Sequence, residues 1–175
     1  MSNSDAVARR LSRWALVGQI VSWAGFAVTA GWVVAALVLP SVRETWLNQL
    51  GVSLGDNAML GVIVAGFPAA LFAFCLFEAG LLFAALGRDA PFSQRAVKAL
   101  VTLGWAAMAT AVAGILSRTA LYYLASFGSA DGKRALVLSL SSVDIGTLLV
   151  GILALVFALI VAETRRLQDD VRSIV

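Results

Sequence analysis

The sequence predicts an all-α integral membrane protein, an antiparallel bundle of four transmembrane helices with both termini cytoplasmic. Three observations carry this prediction. The 175 residues are 61% hydrophobic and 13% charged, whereas soluble domains run at about 45–50% apolar and about 25% charged. The apolar residues gather in four runs, each longer than the ~20 residues that cross a ~30 Å hydrocarbon layer. Lys and Arg gather at one end of alternate runs, which orients the chain in the bilayer. A soluble fold of this composition would expose large apolar patches, and a disordered chain would be poor in large apolar residues.

The first run, residues 14–39, holds no charge. Arg9, Arg10 and Arg13 precede it in the manner of a signal peptide. The apolar stretch exceeds the usual ~7–15 residues of a cleaved signal, however, and reads as a retained anchor. The second run, 58–86, contains Glu78 and also Pro68, whose missing N–H is expected to kink the helix. The third, 99–126, contains Arg118, and the fourth, 135–162, contains Asp144. The tail, 163–175, carries Leu167, Val171 and Ile174 at helical spacing on a charged segment. Such a face lies on a membrane, docks on a partner or folds back on its own protein. Residues 1–175 thus read as a single membrane domain.

Orientation follows from nine of the thirteen basic residues, which lie at the N-terminus, in the 87–98 connection and in the tail. Arg43, Lys133 and Arg134 lie on the opposite side. Cytoplasmic loops retain Lys and Arg, so both termini are expected in the cytoplasm. Trp14 at one boundary, and Trp46, Tyr122 and Tyr123 at the other, fit interfacial aromatic belts.

Glu78, Arg118 and Asp144 are the candidate functional residues, because charge inside lipid is costly unless paired or hydrated. The third and fourth runs are joined by a short polar turn centred near Asp131, from which Arg118 and Asp144 are equidistant. In an antiparallel hairpin they face each other. Two roles stay open for such a pair, a clamp that fixes helix register and a ligand, proton or ion site. Glu78 falls within reach of Lys98, for a snorkelling contact or, alternatively, as a proton-accepting carboxylate in a cavity. Small residues one turn apart (Gly18 and Ser22; Ala106, Thr110 and Gly114; Ser142 and Gly146; Thr147 and Gly151) mark expected close helix approaches.

Several chemistries are excluded by composition. With no His, haem ligation, zincin-type metal binding and a His general base are unavailable. The single cysteine, Cys75, lies in an apolar run and allows no intrachain disulfide. No basic patch with interleaved aromatics stands on a soluble element, so direct nucleic-acid binding is not expected. No cofactor is expected either. The stretch Gly128–Lys133 has the wrong spacing for a phosphate loop.

The connection Gly87-Arg88-Asp89-Ala90-Pro91-Phe92-Ser93 carries turn and cap chemistry, with Ser93 placed to cap the third helix. Four spans, this G-x-x-x-P-F-S element (Gly87, Pro91, Phe92 and Ser93) and the acidic-apolar tail resemble the YoaS-type bacterial membrane proteins, classed as domain of unknown function 2975. The resemblance implies a four-helix inner-membrane protein, often encoded beside a small helix-turn-helix regulator. It implies no catalytic residues. The expected function is therefore non-enzymatic, a regulatory or partner-supporting membrane protein. Its expected partners are membrane lipids and either a protein at the cytoplasmic face or a second copy. The alternative is a small transporter or channel using Glu78, Arg118 and Asp144.

Overall fold

A computed structural model of the chain describes residues 3–52, 54–88, 94–126 and 140–174, with side chains described from Ser12 to Arg166 apart from positions 53, 56, 88 and 165. The described chain is all helical, with α1 (Asn3–Val38), α2 (Pro40–Gln49), α3 (Ala58–Arg88), α4 (Gln94–Ser126) and α5 (Ser142–Ile174). A 3-10 turn, Gly55–Asn57, precedes α3. Four stretches are long and apolar enough to cross a membrane: Ser12–Val38, Ala58–Gly87, Gln94–Ser126 and Ser142–Thr164.

The long helices succeed one another in a row. α3 packs between α1 and α4, and α4 packs between α3 and α5. Among the described residues the backbone of α1 approaches neither α4 nor α5, and that of α3 does not approach α5. The expected bundle is therefore open. The reason lies in α4, whose buried positions are mostly small: Gly104, Ala106, Ala107, Ala111, Ala113 and Ser117. Small side chains let a helix on either side come close, and apolar helices in lipid associate mainly by such packing. Where α4 and α5 cross, a Cβ added to Gly151 of α5 would stand 2.8 Å from the Gly104 carbonyl oxygen. Gly146, expected in a close approach, has nothing within 4 Å of its Cβ position and is exposed. Gly104, which the spacing argument passed over, does the packing instead.

α2 is an element the hydropathy pattern did not predict. Pro40 explains both its start and the end of α1, since the residue before a proline avoids helical backbone. Leu39 is accordingly extended, and Pro40 occupies the first turn of α2, where its missing N–H is harmless. Arg43 folds back and donates from Nε to the Ala36 carbonyl (3.4 Å) and from Nη2 to the Leu37 carbonyl (3.0 Å). It thereby satisfies carbonyls at the end of α1 that have no helical donor. α2 ends in a Schellman motif: Gly51 N–H donates to Asn48 and Val52 N–H to Leu47, with Gly51 at φ 72°. Leu47 is buried with Ala36 and Val62, so α2 is docked on α1 and α3. Its signal was present as Val42, Trp46, Leu47 and Leu50 at helical spacing behind a proline.

Pro68 lies inside α3, which continues through it. The proline deprives the carbonyl four residues earlier, that of Val64, of its helical donor. Ser117 of α4 supplies the replacement, its hydroxyl donating to the Val64 carbonyl at 2.8 Å. This bond joins α3 to α4 and gives the Val64 carbonyl a donor within an apolar stretch, where a free carbonyl would be costly.

α5 begins at Ser142, not at Ala135 as the apolar run implied. Leu140 and Ser141 are described and non-helical. Residues 135–139, like the expected turn around Asp131, lie outside the described residues.

Candidate functional site

Asp144 sits in the first turn of α5, and its surroundings follow from that position. Ser141 is the residue before the helix, and its hydroxyl accepts from the Val143 N–H at 3.3 Å. Asp144 reaches back, its Oδ2 accepting from the Ser141 N–H at 3.1 Å. This reciprocal arrangement is a capping box, written in the sequence as Ser141-Ser142-Val143-Asp144. A carboxylate at the start of a helix also meets the positive end of the macrodipole. The apolar run counted through this signal, so Asp144 was expected well inside a span.

The other carboxylate oxygen, Oδ1, accepts from Nη2 of Arg118. Arg118 also donates from Nε to the Gly114 carbonyl, one turn earlier in α4, at 3.3 Å. The pair expected from the hairpin symmetry is therefore joined. Asp144 is buried and Arg118 half-buried. Gly114 makes room for them: a Cβ there would stand 3.0 Å from Asp144 Oδ1 and 3.4 Å from Arg118 Nη2. Both oxygens of the carboxylate and two nitrogens of the guanidinium are thus engaged by α4 and α5 themselves. A 380 Å³ cleft borders the pair, walled by Trp46 of α2 and Leu50 just after it, Pro68 and Phe72 of α3, and Ser117 of α4. Below it a 450 Å³ apolar cleft runs between α3 and α5, past Phe72, Cys75, Ala107 and Val150. The Cys75 thiol lies 3.5 Å from the Thr110 hydroxyl, as a small buried polar contact between α3 and α4.

Glu78 lies elsewhere. It is half-buried on α3, next to Phe77, whose ring meets Trp23 of α1 edge-on at 5.2 Å. It lines a separate 420 Å³ cleft with Ala84 and Ala85 of α3 and Arg95, Lys98 and Thr102 of α4. The expected neighbour Lys98 is therefore in the same cleft. Among the described residues, however, Glu78 forms no ion pair and no hydrogen bond with it. Thr102 is already engaged, its hydroxyl donating to the Lys98 carbonyl at 3.0 Å.

Of the family-like turn, Gly87 is exposed and ends the second spanning stretch, one residue before the end of α3. Pro91, Phe92 and Ser93 lie outside the described residues, and α4 begins immediately afterwards at Gln94. The tail is helical to Ile174, while the side chains of Leu167, Val171 and Ile174 lie outside the described residues. Among the described residues no three His, Cys, Asp or Glu side chains come together.

A family model described as protein of unknown function (DUF2975) matches residues 32–175. The chain belongs to this family. The DUF2975 match takes in α2, α3, α4 and α5, and with them the capping box, the Arg118–Asp144 pair, the Ser117–Val64 bond and the Glu78 cleft. No curated protein and no solved structure matches the chain.

Proposed function

We propose that this DUF2975 protein is a non-catalytic protein of the bacterial inner membrane that regulates or supports a protein partner. In this reading the four long helices run antiparallel with both termini cytoplasmic. The pairing of Gly104 with Gly151 and of Gly114 with Asp144, rising along α4 as it falls along α5, supports the antiparallel order. The distribution of Lys and Arg supports the orientation.

The observation that carries the partner role is the placement of α5. Among the described residues its backbone approaches α4 alone, its capped first turn is joined to α4 through the Arg118–Asp144 pair, and it extends ten residues past Thr164, where its apolar stretch ends, to Ile174. Ten helical residues reach about 15 Å beyond the bilayer, enough to present a docking face. Photo-crosslinkers placed along 167–175 in native membranes test this. The reading expects a discrete adduct, and the protein so captured is expected to stop co-purifying when 165–175 are removed while the truncated protein still inserts. Absence of a discrete adduct, or truncation that changes neither co-purification nor phenotype, contradicts it.

The transport alternative would string Glu78, Arg118 and Asp144 along one path. Against it, Glu78 lines one cleft and the pair borders another, and the pair's polar atoms are largely consumed by α4 and α5. Solute flux in proteoliposomes that vanishes on neutralising all three residues, in a protein that remains folded, would favour transport.

A further inference from the structure

The Glu78 cleft holds charges of both signs that do not meet. The carboxylate stands ten residues, about 15 Å along the axis, before the end of α3 at Arg88. It therefore lies within an apolar stretch, where an uncompensated charge is expensive and normally finds a partner. Arg95 and Lys98, in the first two turns of α4, line the same 420 Å³ space. Among the described residues neither forms an ion pair. The rest of the wall is Leu81, Ala84, Ala85 and Ala99, with Thr102, whose hydroxyl is engaged by the Lys98 carbonyl.

This arrangement selects its occupant by charge. A free phosphate or another simple anion would be held by Arg95 and Lys98 but repelled by Glu78. A simple amine would be held by Glu78 and repelled by two cations. A molecule carrying both an anion and an ammonium satisfies all three groups together. The apolar wall and the position on membrane-crossing helices call for one with hydrocarbon chains. We propose that this cleft binds the headgroup of an amine-bearing glycerophospholipid, of the phosphatidylethanolamine type. The phosphate meets Lys98 and Arg95 near the mouth, and the ammonium donates to Glu78 deeper in. Ammonium with free N–H groups matters here, because a charge-assisted hydrogen bond to the carboxylate requires a donor. The site is independent of partner docking on α5, so either proposal can fail without the other.

Native mass spectrometry of the full chain tests the site. The protein is released from micelles holding equal amounts of phosphatidylethanolamine, its N-monomethyl form, phosphatidylcholine and phosphatidylglycerol with identical acyl chains. The wild type is expected to retain phosphatidylethanolamine roughly tenfold over phosphatidylcholine, the size expected of a charge-assisted hydrogen bond, with the monomethyl lipid between them. Glu78→Gln is expected to bring that ratio to about one, and Arg95→Gln with Lys98→Gln to lower retention of every phospholipid. Equal retention of phosphatidylethanolamine and phosphatidylcholine by the wild type overturns the proposal, and this arm needs no variant to fold. Preferred retention of phosphatidylglycerol overturns it as well, because it marks an anion site in which Glu78 has no part.

Discussion

The clamp between α4 and α5 and the cleft between α3 and α4 both place charge within apolar helices, and they treat it in opposite ways. At the clamp, Asp144 and Arg118 find each other, and the Ser141 N–H and the Gly114 carbonyl take up further bonding capacity. At the cleft, Glu78 faces Arg95 and Lys98 across open space. In the first arrangement the charges are taken up by bonds among the described residues, as the clamp reading requires; in the second they are not, which is the basis of the proposed lipid site. A count of intramembrane charges treats all three residues alike. Their bonding separates a residue that builds the fold from one that is available to a ligand.

That difference can be broken from the clamp side first. Arg118→Met strands a buried carboxylate and is expected to cost about 3–5 kcal/mol in reversible unfolding in mixed micelles. Glu78→Gln, measured in the same way, is expected to stay within about 0.5 kcal/mol, since no bond within the described chain is lost. A comparable loss from both would erase the contrast. The next effect is steric. Gly151→Val places atoms against the Gly104 carbonyl and Met108 and is expected to cost about 1–3 kcal/mol, whereas Gly146→Ala meets nothing and is expected to be neutral or slightly stabilising. Smaller still is the bond beside Pro68. Ser117→Ala is expected to cost about 1 kcal/mol by leaving the Val64 carbonyl without a donor. In a Pro68→Ala background, which restores the helical N–H, that cost is expected to fall close to zero. Ser141→Ala removes the hydroxyl of the α5 cap and is expected to cost about 0.5–1 kcal/mol, sharpening how much of the clamp is helix start and how much is ion pair.

The spans and the pairing of Arg118 with Asp144 were legible because they depend on one-dimensional quantities, run length and distance from a turn. Two antiparallel helices of equal rise per residue convert sequence separation into depth, so the pair could be matched without coordinates. The start of α5 was misplaced because hydropathy averages over the capping box, although Ser141 through Asp144 spell it out. α2 escaped because ten residues with Arg43 and Glu44 fall below any hydropathy threshold, while Pro40 and the spacing of Trp46, Leu47 and Leu50 carried the signal. The Ser117–Val64 bond was not legible, since it needs the rotation of α4 about its axis to be known. The same rotation decides that Gly104 and Gly151 pack while Gly146 faces outward. For Glu78 the sequence identified the neighbour, Lys98, but not the gap between them, which depends on how far apart the ends of α3 and α4 stand.

The central claim, that the Arg118–Asp144 pair is a structural clamp, is tested most directly by its coupling energy. A double-mutant cycle of Arg118→Met and Asp144→Asn, read as unfolding free energy in mixed micelles, isolates the pair from the other bonds its members make, Asp144 to the α5 cap and Arg118 to the Gly114 carbonyl. The account predicts that the double variant is more stable than the sum of the single losses implies, with a coupling of about 1.5–3 kcal/mol. Strictly additive losses would contradict it and return Arg118 and Asp144 to the pool of charges that await a ligand.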